Sequence, residues 1–280
     1  MEYINPILIF ACLKEQLLNR LKQVEGCNCH ERVRVTLIVA FIIWIRKEVF
    51  WTFAIGHFAL GYLFGKGSSK LAHVKVNLPL LFAASVLPDV DLLLRFLMHR
   101  GPTHSILTIT VLMLPFFFVY RKQAIPYFAA LLSHILIGDF FTGGIQLFWP
   151  LSHSTFGALN FGVTSMPVAI TEIALFLLTV PIMYKLGDLK TLLKPNNKNW
   201  ALIVPLGAVL GPLFSLGRGQ EGSLPILLIA PSLFYISLFA YAILIWLRAG
   251  YLKHLRVNKL IYRNLSFEKG NCGDKKSGNN

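Results

Sequence analysis

Acidic residues are scarce in this chain, which holds 13 Asp and Glu among 280 residues against 27 Lys and Arg. Charged residues make up 14% of the sequence and hydrophobic residues 55%, whereas a soluble domain carries about a quarter charged residues. The mean hydropathy of +0.60 excludes a disordered, fibrous or disulfide-stapled protein. The composition predicts an integral membrane protein.

Cysteine is also rare, and none of it lies in the apolar body of the chain. The four cysteines are Cys12, Cys27, Cys29 and Cys272, a distribution that suits a reducing cytosolic face. The run from Cys27 to His30 could hold a metal, but no second ligand pair stands at zinc-finger spacing.

The net charge of +14 does not indicate nucleic-acid binding here. Basic residues that flank apolar segments set membrane orientation and attract anionic lipid headgroups, and these residues gather in segments 1–48 and 248–280. We therefore expect no nucleic-acid partner and anionic lipid at both basic termini. The positive-inside rule predicts a multi-pass protein of the cell membrane with a cytoplasmic C-terminus.

Long apolar segments recur after residue 48, whereas internal repeats and barrel-like strand alternation are absent. The segments are 49–65, 78–87, 104–120, 124–137, 168–186, 201–216 and 224–247. A helix needs about 20 apolar residues to cross a bilayer, and most of these segments are plausible spans. The pattern predicts an all-α polytopic membrane protein with five to seven spans. Its expected divisions are an N-terminal extension (1–48), a membrane core (49–165), additional transmembrane helices (166–247) and a basic cytoplasmic tail (248–280).

Ionisable residues inside the apolar body gather in one third of the chain. They are His57, Asp89, Asp91, Arg95, His99, Arg100, His104, His134 and Asp139. An aspartate at the centre of a spanning helix costs about 2.5–3.5 kcal/mol. Several of them must therefore satisfy one another, face water or bind an ion, and their clustering with histidine favours an ion.

Each part of this cluster also has an ordinary structural interpretation. Pro88 can end one helix while Asp89 caps the next. Asp91 can pair with Arg95, four residues further along the same helix face. His57, taken alone on an apolar segment, is typical of a packed histidine.

The segment His99–Ser105 (HRGPTHS) combines a turn with a helix start. Its Gly-Pro pair forces a turn, and Thr103 is predicted to cap the helix that follows. A phosphate or carboxylate could sit at that helix start, with Arg100 as a fork-shaped partner. The alternative is a pair of interfacial histidines with a snorkelling arginine.

His134 and Asp139 close another apolar segment at a spacing of i, i+5. An ideal α-helix turns two such residues about 140° apart, so a shared metal requires a local change in the helix. Gly138 can loosen or bulge that turn. The sequence leaves the shared chelate open.

Taken in order, these motifs resemble the YdjM-type inner-membrane family of metal-dependent hydrolases. The resemblance covers about residues 50–155. It rests on Gly56-His57 with Gly61, Leu87-Pro88-Asp89-Val90-Asp91, the segment His99–Ser105, Ser133-His134 with Gly138-Asp139 and Thr142, and Gly144 to Leu151. Each motif alone is weak, whereas the ordered set is specific.

The resemblance implies a hydrolase-like core at 49–165 and a membrane-embedded site for divalent metal, zinc or else manganese. The implied ligands are His57, Asp89, His104, His134 and Asp139. The family is also distantly similar to the zinc-dependent phospholipase C and P1 nuclease group. This similarity implies a phosphoester or lipid-linked substrate, cleaved by a metal-activated water. Asp91 or His99 would accept a proton or orient a ligand, and Arg100 would hold the phosphate.

Two features depart from the family pattern. The spacing from His134 to Asp139 is one residue longer than the usual His-x-x-x-Asp, and the chain adds segments before residue 49 and after about residue 165. The resemblance favours an enzyme without establishing one. The alternatives are an ion-coupled transporter and a non-catalytic structural or regulatory membrane protein. One observation speaks against transport: the ionisable residues have no counterpart in a second half of the chain.

Overall fold

The computed structural model describes residues 54–93, 98–140, 143–158, 165–215 and 226–273. These residues form helices and loops, with an isolated antiparallel bridge between Ile145 and Phe156. The predicted all-α class is therefore confirmed. The extension predicted at 1–48 lies outside the described residues.

The α-helices are α1 (Ala54–Leu71), α2 (Leu78–Ser85), α3 (Ile106–Tyr120), α4 (Ile125–Ser133), α5 (Met166–Lys185), α6 (Asp188–Leu192), α7 (Ile203–Ser215) and α8 (Ile229–Gly273). Short 3₁₀ turns lie at Leu87–Leu93, Pro102–His104, Arg121–Ala124, Asn199–Leu202 and Ile226–Leu228. A π-helix, His134–Asp139, continues α4. The predicted apolar segments correspond to these helices. However, α8 continues through the boundary predicted at 247/248.

Helices α1 and α2 form an antiparallel hairpin. Gly61 makes their close approach possible, because a Cβ at that position would overlap the side chain of Ser85. Asn77 begins α2 by accepting a hydrogen bond from the Leu80 N–H at 3.3 Å. The hairpin returns the chain from the start of α1, which carries His57, to a second polar segment after Ser85.

Helices α3 and α4 form a second hairpin, and Arg121, Lys122 and Gln123 interrupt the apolar sequence between them. Arg121 ends α3 in a left-handed conformation with φ of 50°, which helices do not tolerate. The rings of Phe117 and Phe128 then lie 5.4 Å apart, centre to centre. A straight helix would separate these two residues by about 16 Å, so the chain turns back and brings both ends of the segment together.

Three segments within the described residues are long and apolar enough to cross a membrane. They are Ile106–Asp139, Met166–Lys185 and Ile226–Leu252. Large apolar side chains on their surfaces are exposed, including Leu112, Phe118 and Leu177, as lipid-facing positions require. The helical membrane class is confirmed, and the count of five to seven spans stays a prediction.

Asp188, at the start of α6, ties that helix to the middle of α1. Its carboxylate accepts a hydrogen bond from the Tyr62 hydroxyl at 2.6 Å and pairs with Lys66 at 2.7 Å. Asp188 is buried, whereas Lys66 is partly exposed. The contact fixes the position of α6 against the hairpin formed by α1 and α2.

Replacing Asp188 with alanine is expected to destabilise the fold. The change leaves Lys66 and Tyr62 without their acceptor in a mostly buried setting, at a cost of about 3 kcal/mol. Thermal melting of the purified full chain in detergent should show a midpoint several degrees lower. Lys190→Ala, an exposed change on the same helix, is the control and should leave the midpoint unchanged; equal shifts would contradict the prediction.

Candidate metal centre

Four buried side chains converge where the two hairpins end. Asp89 comes from the 3₁₀ turn after α2, and His104 from the 3₁₀ turn before α3. His134 and Asp139 stand at the two ends of the π-helix. Each of the four is at most 6% exposed. Four of the five predicted ligands therefore meet in one place.

The π-helix resolves the i, i+5 spacing that the sequence left open. The N–H of Phe140 donates to the carbonyl of Ile135, five residues earlier, instead of four. This wider turn accommodates one extra residue and returns position i+5 to the face of position i. His134 and Asp139 consequently lie side by side, with their Nε2 and Oδ2 atoms 3.1 Å apart.

One atom from each side chain contributes to a compact set of donors. His104 Nε2 lies 2.9 Å from Asp139 Oδ2 and 3.5 Å from Asp89 Oδ1. His134 Nε2 lies 3.4 Å from Asp89 Oδ1 and 3.4 Å from His104 Nε2. All four atoms fall within 4.8 Å of one another. Such a set of buried nitrogen and carboxylate donors could hold a metal ion.

The other ring nitrogen of each histidine faces an acceptor. His134 Nδ1 donates to the Ser85 carbonyl at 2.7 Å, and His104 Nδ1 lies 3.2 Å from Asp91 Oδ2. These acceptors place the ring proton on Nδ1, which turns the Nε2 lone pair of a neutral ring toward the centre of the cluster. Two lone pairs and two carboxylates then face one another, and this arrangement requires a cation, either a metal or added protons.

Asp91 supports the site through contacts with the loop that carries Arg100 and Thr103. Its carboxylate accepts hydrogen bonds from the Thr103 hydroxyl at 2.8 Å and the Arg100 N–H at 3.1 Å. Burial alone would raise the pKa of Asp91, but hydrogen bonds from His104 and His99 hold that pKa well below its ordinary value. An ionised Asp91 therefore orients the His104 ring.

Thr103 does not cap α3 as predicted. It bonds to Asp91, and Ser105 is the residue that caps α3, by accepting from the Thr108 N–H at 3.4 Å. The cap shifts because the 3₁₀ turn Pro102–His104 intervenes before α3 begins.

Two further predicted residues line the approach to the cluster. His99 is partly exposed, and its Nδ1 lies 3.2 Å from Asp91 Oδ1. Arg100 adopts a positive φ of 62° and donates from Nη2 to Asp139 Oδ1 at 3.1 Å. A strained backbone conformation at a non-glycine residue persists only where its surroundings impose it. Here it places the guanidinium against the metal-facing carboxylate.

His57 lies beside the four donors without joining them. Its ring stacks on His134 with centroids 3.9 Å apart, and its Nε2 is 4.0 Å from Asp139 Oδ1. Gly138 provides the space, because a Cβ there would overlap the His57 ring. His57 as a direct ligand stays a prediction.

Glu172 is a residue that the sequence reasoning missed. It is buried in α5 and accepts a hydrogen bond from the backbone N–H of Gly56, adjacent to His57. Its signal in the sequence was a lone acid inside a strongly apolar span, which marks a functional candidate. The Ser85 carbonyl, in contrast, left no side-chain signal.

Replacing Asp91 with alanine is expected to weaken metal binding by about 10- to 100-fold. The four donors remain, but the His104 ring loses the carboxylate that orients it. Competition with a metallochromic chelator would measure the change in the purified protein. His153→Ala, at an exposed position, is the control; an unchanged affinity in a folded Asp91 variant would contradict this role.

The part of the chain that contains the site matches a known family. A family model described as YdjM inner membrane protein matches residues 52–218, which include all four donors and extend beyond the motifs that end at residue 151. No curated protein and no solved structure matches the chain. Because the family match covers more than half of the 280 residues, the chain belongs to the YdjM inner membrane protein family.

Proposed function

We propose that this chain is a membrane-embedded, metal-dependent hydrolase that acts on a phosphoester or lipid-linked substrate. One observation carries the proposal: two histidine nitrogens and two carboxylate oxygens converge in a buried site, each histidine held from behind by an acceptor. A cluster of packed polar groups needs no such convergence. Catalytic metal sites use these ligand types and this support from behind.

Zinc is the metal that we propose. Five separations among the donor atoms run from 2.9 to 3.5 Å. Neighbouring donors that each bind one zinc ion at about 2.0 Å would be about 3 Å apart. Manganese, which prefers oxygen ligands and octahedral geometry, fits a mixed nitrogen and oxygen set of four less well.

A divalent ion held by the four donors would need a further, open position for water; with one, it would act as a Lewis acid and generate a nucleophile from that water near neutral pH. The chain's own residues would complete the site. Arg100, which lies against Asp139, would orient a phosphate through its guanidinium. His99 is partly exposed and hydrogen-bonded to the ionised Asp91, so it is placed to accept a proton from the reacting group and share it with that carboxylate.

The site's position in a membrane protein supports a lipid or lipid-linked substrate. We also propose that the chain crosses the membrane five to seven times, with α8 carrying the basic C-terminal tail to the cytoplasm.

The test is hydrolysis by the metal-loaded full chain in detergent or liposomes. Soluble and lipid phosphoesters should release product, and Arg100→Gln should raise KM or lower kcat by at least about tenfold while metal content is kept. His153→Ala is the control. A folded, metal-loaded protein that cleaves no phosphoester, yet moves metal or protons across liposomes, would instead favour the transporter.

A further inference from the structure

The described core has two chemically different ends. The metal centre lies at the end where α1 begins, α2 finishes and the π-helix stops; we call this the site end. The loop between α1 and α2 and the turn between α3 and α4 lie together at the opposite end, since the Asn77 N–H donates to the Tyr127 hydroxyl at 3.0 Å. Asp188 pairs with Lys66 in the second half of α1. The start of α6 therefore lies toward the same end.

The end opposite the metal centre carries most of the exposed positive charge; we call it the basic end. Its exposed basic residues are Lys70, Lys75, Arg121, Lys122, Lys185, Lys190, Lys194 and Lys198. Asn199 donates from Nδ2 to the Ala242 carbonyl at 3.0 Å, so α8 approaches this end before the exposed Arg248. Most apolar segments therefore meet lysine or arginine where they reach the basic end.

The site end carries almost no such charge. Segment 143–158, which covers it, contains no Lys, Arg, Asp or Glu. It packs there through the Gln146 N–H, which donates to the Arg100 carbonyl at 3.0 Å, and through the Ser105 hydroxyl, which donates to the Trp149 carbonyl at 2.8 Å. Within the described residues of the site end, the sole basic side chain besides histidine is Arg100, which binds Asp139.

The distance between the two ends matches the thickness of a membrane. Helix α5, a candidate span, carries Glu172 against Gly56 near the site end and finishes with Lys185 at the basic end. Its 20 residues correspond to about 30 Å, the thickness of the hydrocarbon core. Lysine and arginine in short loops favour the cytoplasmic side. Among the described residues, eight exposed basic side chains stand at one end and the engaged Arg100 at the other, and this difference sets the bias for the core.

We infer that the metal centre lies on the extracytoplasmic side of the membrane. The substrate therefore reaches it from the outer leaflet or from the space beyond, and Arg100 faces a phosphate on that side. The orientation follows from charge and topology alone. The substrate's side rests additionally on the proposed hydrolase function.

Single cysteines tested by a membrane-impermeant maleimide would decide the orientation. The background is the full chain with Cys12, Cys27, Cys29 and Cys272 changed to serine. Ser154→Cys marks the site end and Gln123→Cys the basic end, both at exposed positions. In intact spheroplasts we expect at least tenfold more labelling of Ser154→Cys, with Gln123→Cys reacting only after permeabilisation.

The reverse pattern, or equal labelling of both positions in intact spheroplasts, would overturn the inference. Asn197→Cys provides a second exposed position at the basic end and should match Gln123→Cys. The metal content of each labelled protein is measured separately. Loss of metal together with the expected labelling would therefore contradict the proposed hydrolase function and leave the inferred orientation standing.

Discussion

Purified protein carrying His104→Ala or His134→Ala should lose stoichiometric metal. Each change removes one of four donors that stand within 4.8 Å of one another and leaves two buried carboxylates with a single histidine. Both residues are fully buried, so water cannot readily replace the missing ligand. We expect metal content to fall from about one equivalent per chain to below about a tenth. Elemental analysis after mild dialysis measures it.

The controls separate loss of a ligand from loss of the fold. His153→Ala and His73→Ala remove exposed histidines and should retain full metal content. The His104 and His134 variants should still elute as a single folded species in detergent, and they should melt at a lower temperature because the carboxylates then repel each other. Metal retained by a folded His104→Ala or His134→Ala protein would contradict the assignment.

Deleting Leu136 is expected to leave the metal site intact. Leu136 is an exposed residue inside the π-helix, and its removal shortens the spacing from His134 to Asp139 to i, i+4. A regular α-helix then places both side chains on one face, and the residues before and after the segment keep their orientation. The deletion should also bring the spacing to the His-x-x-x-Asp form typical of the family pattern. Metal affinity should change by less than about threefold.

The matched control is deletion of Leu112, an equally apolar and exposed residue of α3. Helix α3 is a regular α-helix, so one missing residue rotates the flanking halves by about 100° relative to each other. Ile109 and Met113 could not both stay buried, and His104 would move away from the cluster. We expect this deletion to abolish metal binding and lower expression. If the Leu136 deletion lost its metal and the Leu112 deletion kept it, the prediction would be contradicted.

Much of the fold was predictable because membrane burial imposes strong patterns on sequence. Apolar length marked the helices, and the cost of burying Asp and His marked the site. The sequence predicted a break here, since Arg121, Lys122 and Gln123 separate the apolar segments 104–120 and 124–137. It did not show that the chain turns back, because that depends on the positive φ of Arg121.

The details of the site depended on tertiary structure. The i, i+5 spacing of His134 and Asp139 did not show whether the two side chains lie on the same face of the helix. The π-helix decides this point, because it places them side by side. Arg95, the partner that the sequence predicted for Asp91, lies outside the described residues, and the described contacts of that carboxylate include the Thr103 hydroxyl and the Arg100 N–H. Neither contact has a signal in sequence spacing, since both cross a loop.

The four converging donors should hold a divalent metal in the purified protein. The most direct test is elemental analysis of the wild-type full chain, purified in detergent without a histidine tag and dialysed mildly. We expect at least about one equivalent of zinc per chain. A protein that is folded, stable and free of metal would contradict it, and the buried His and Asp residues would then form a proton-sharing cluster.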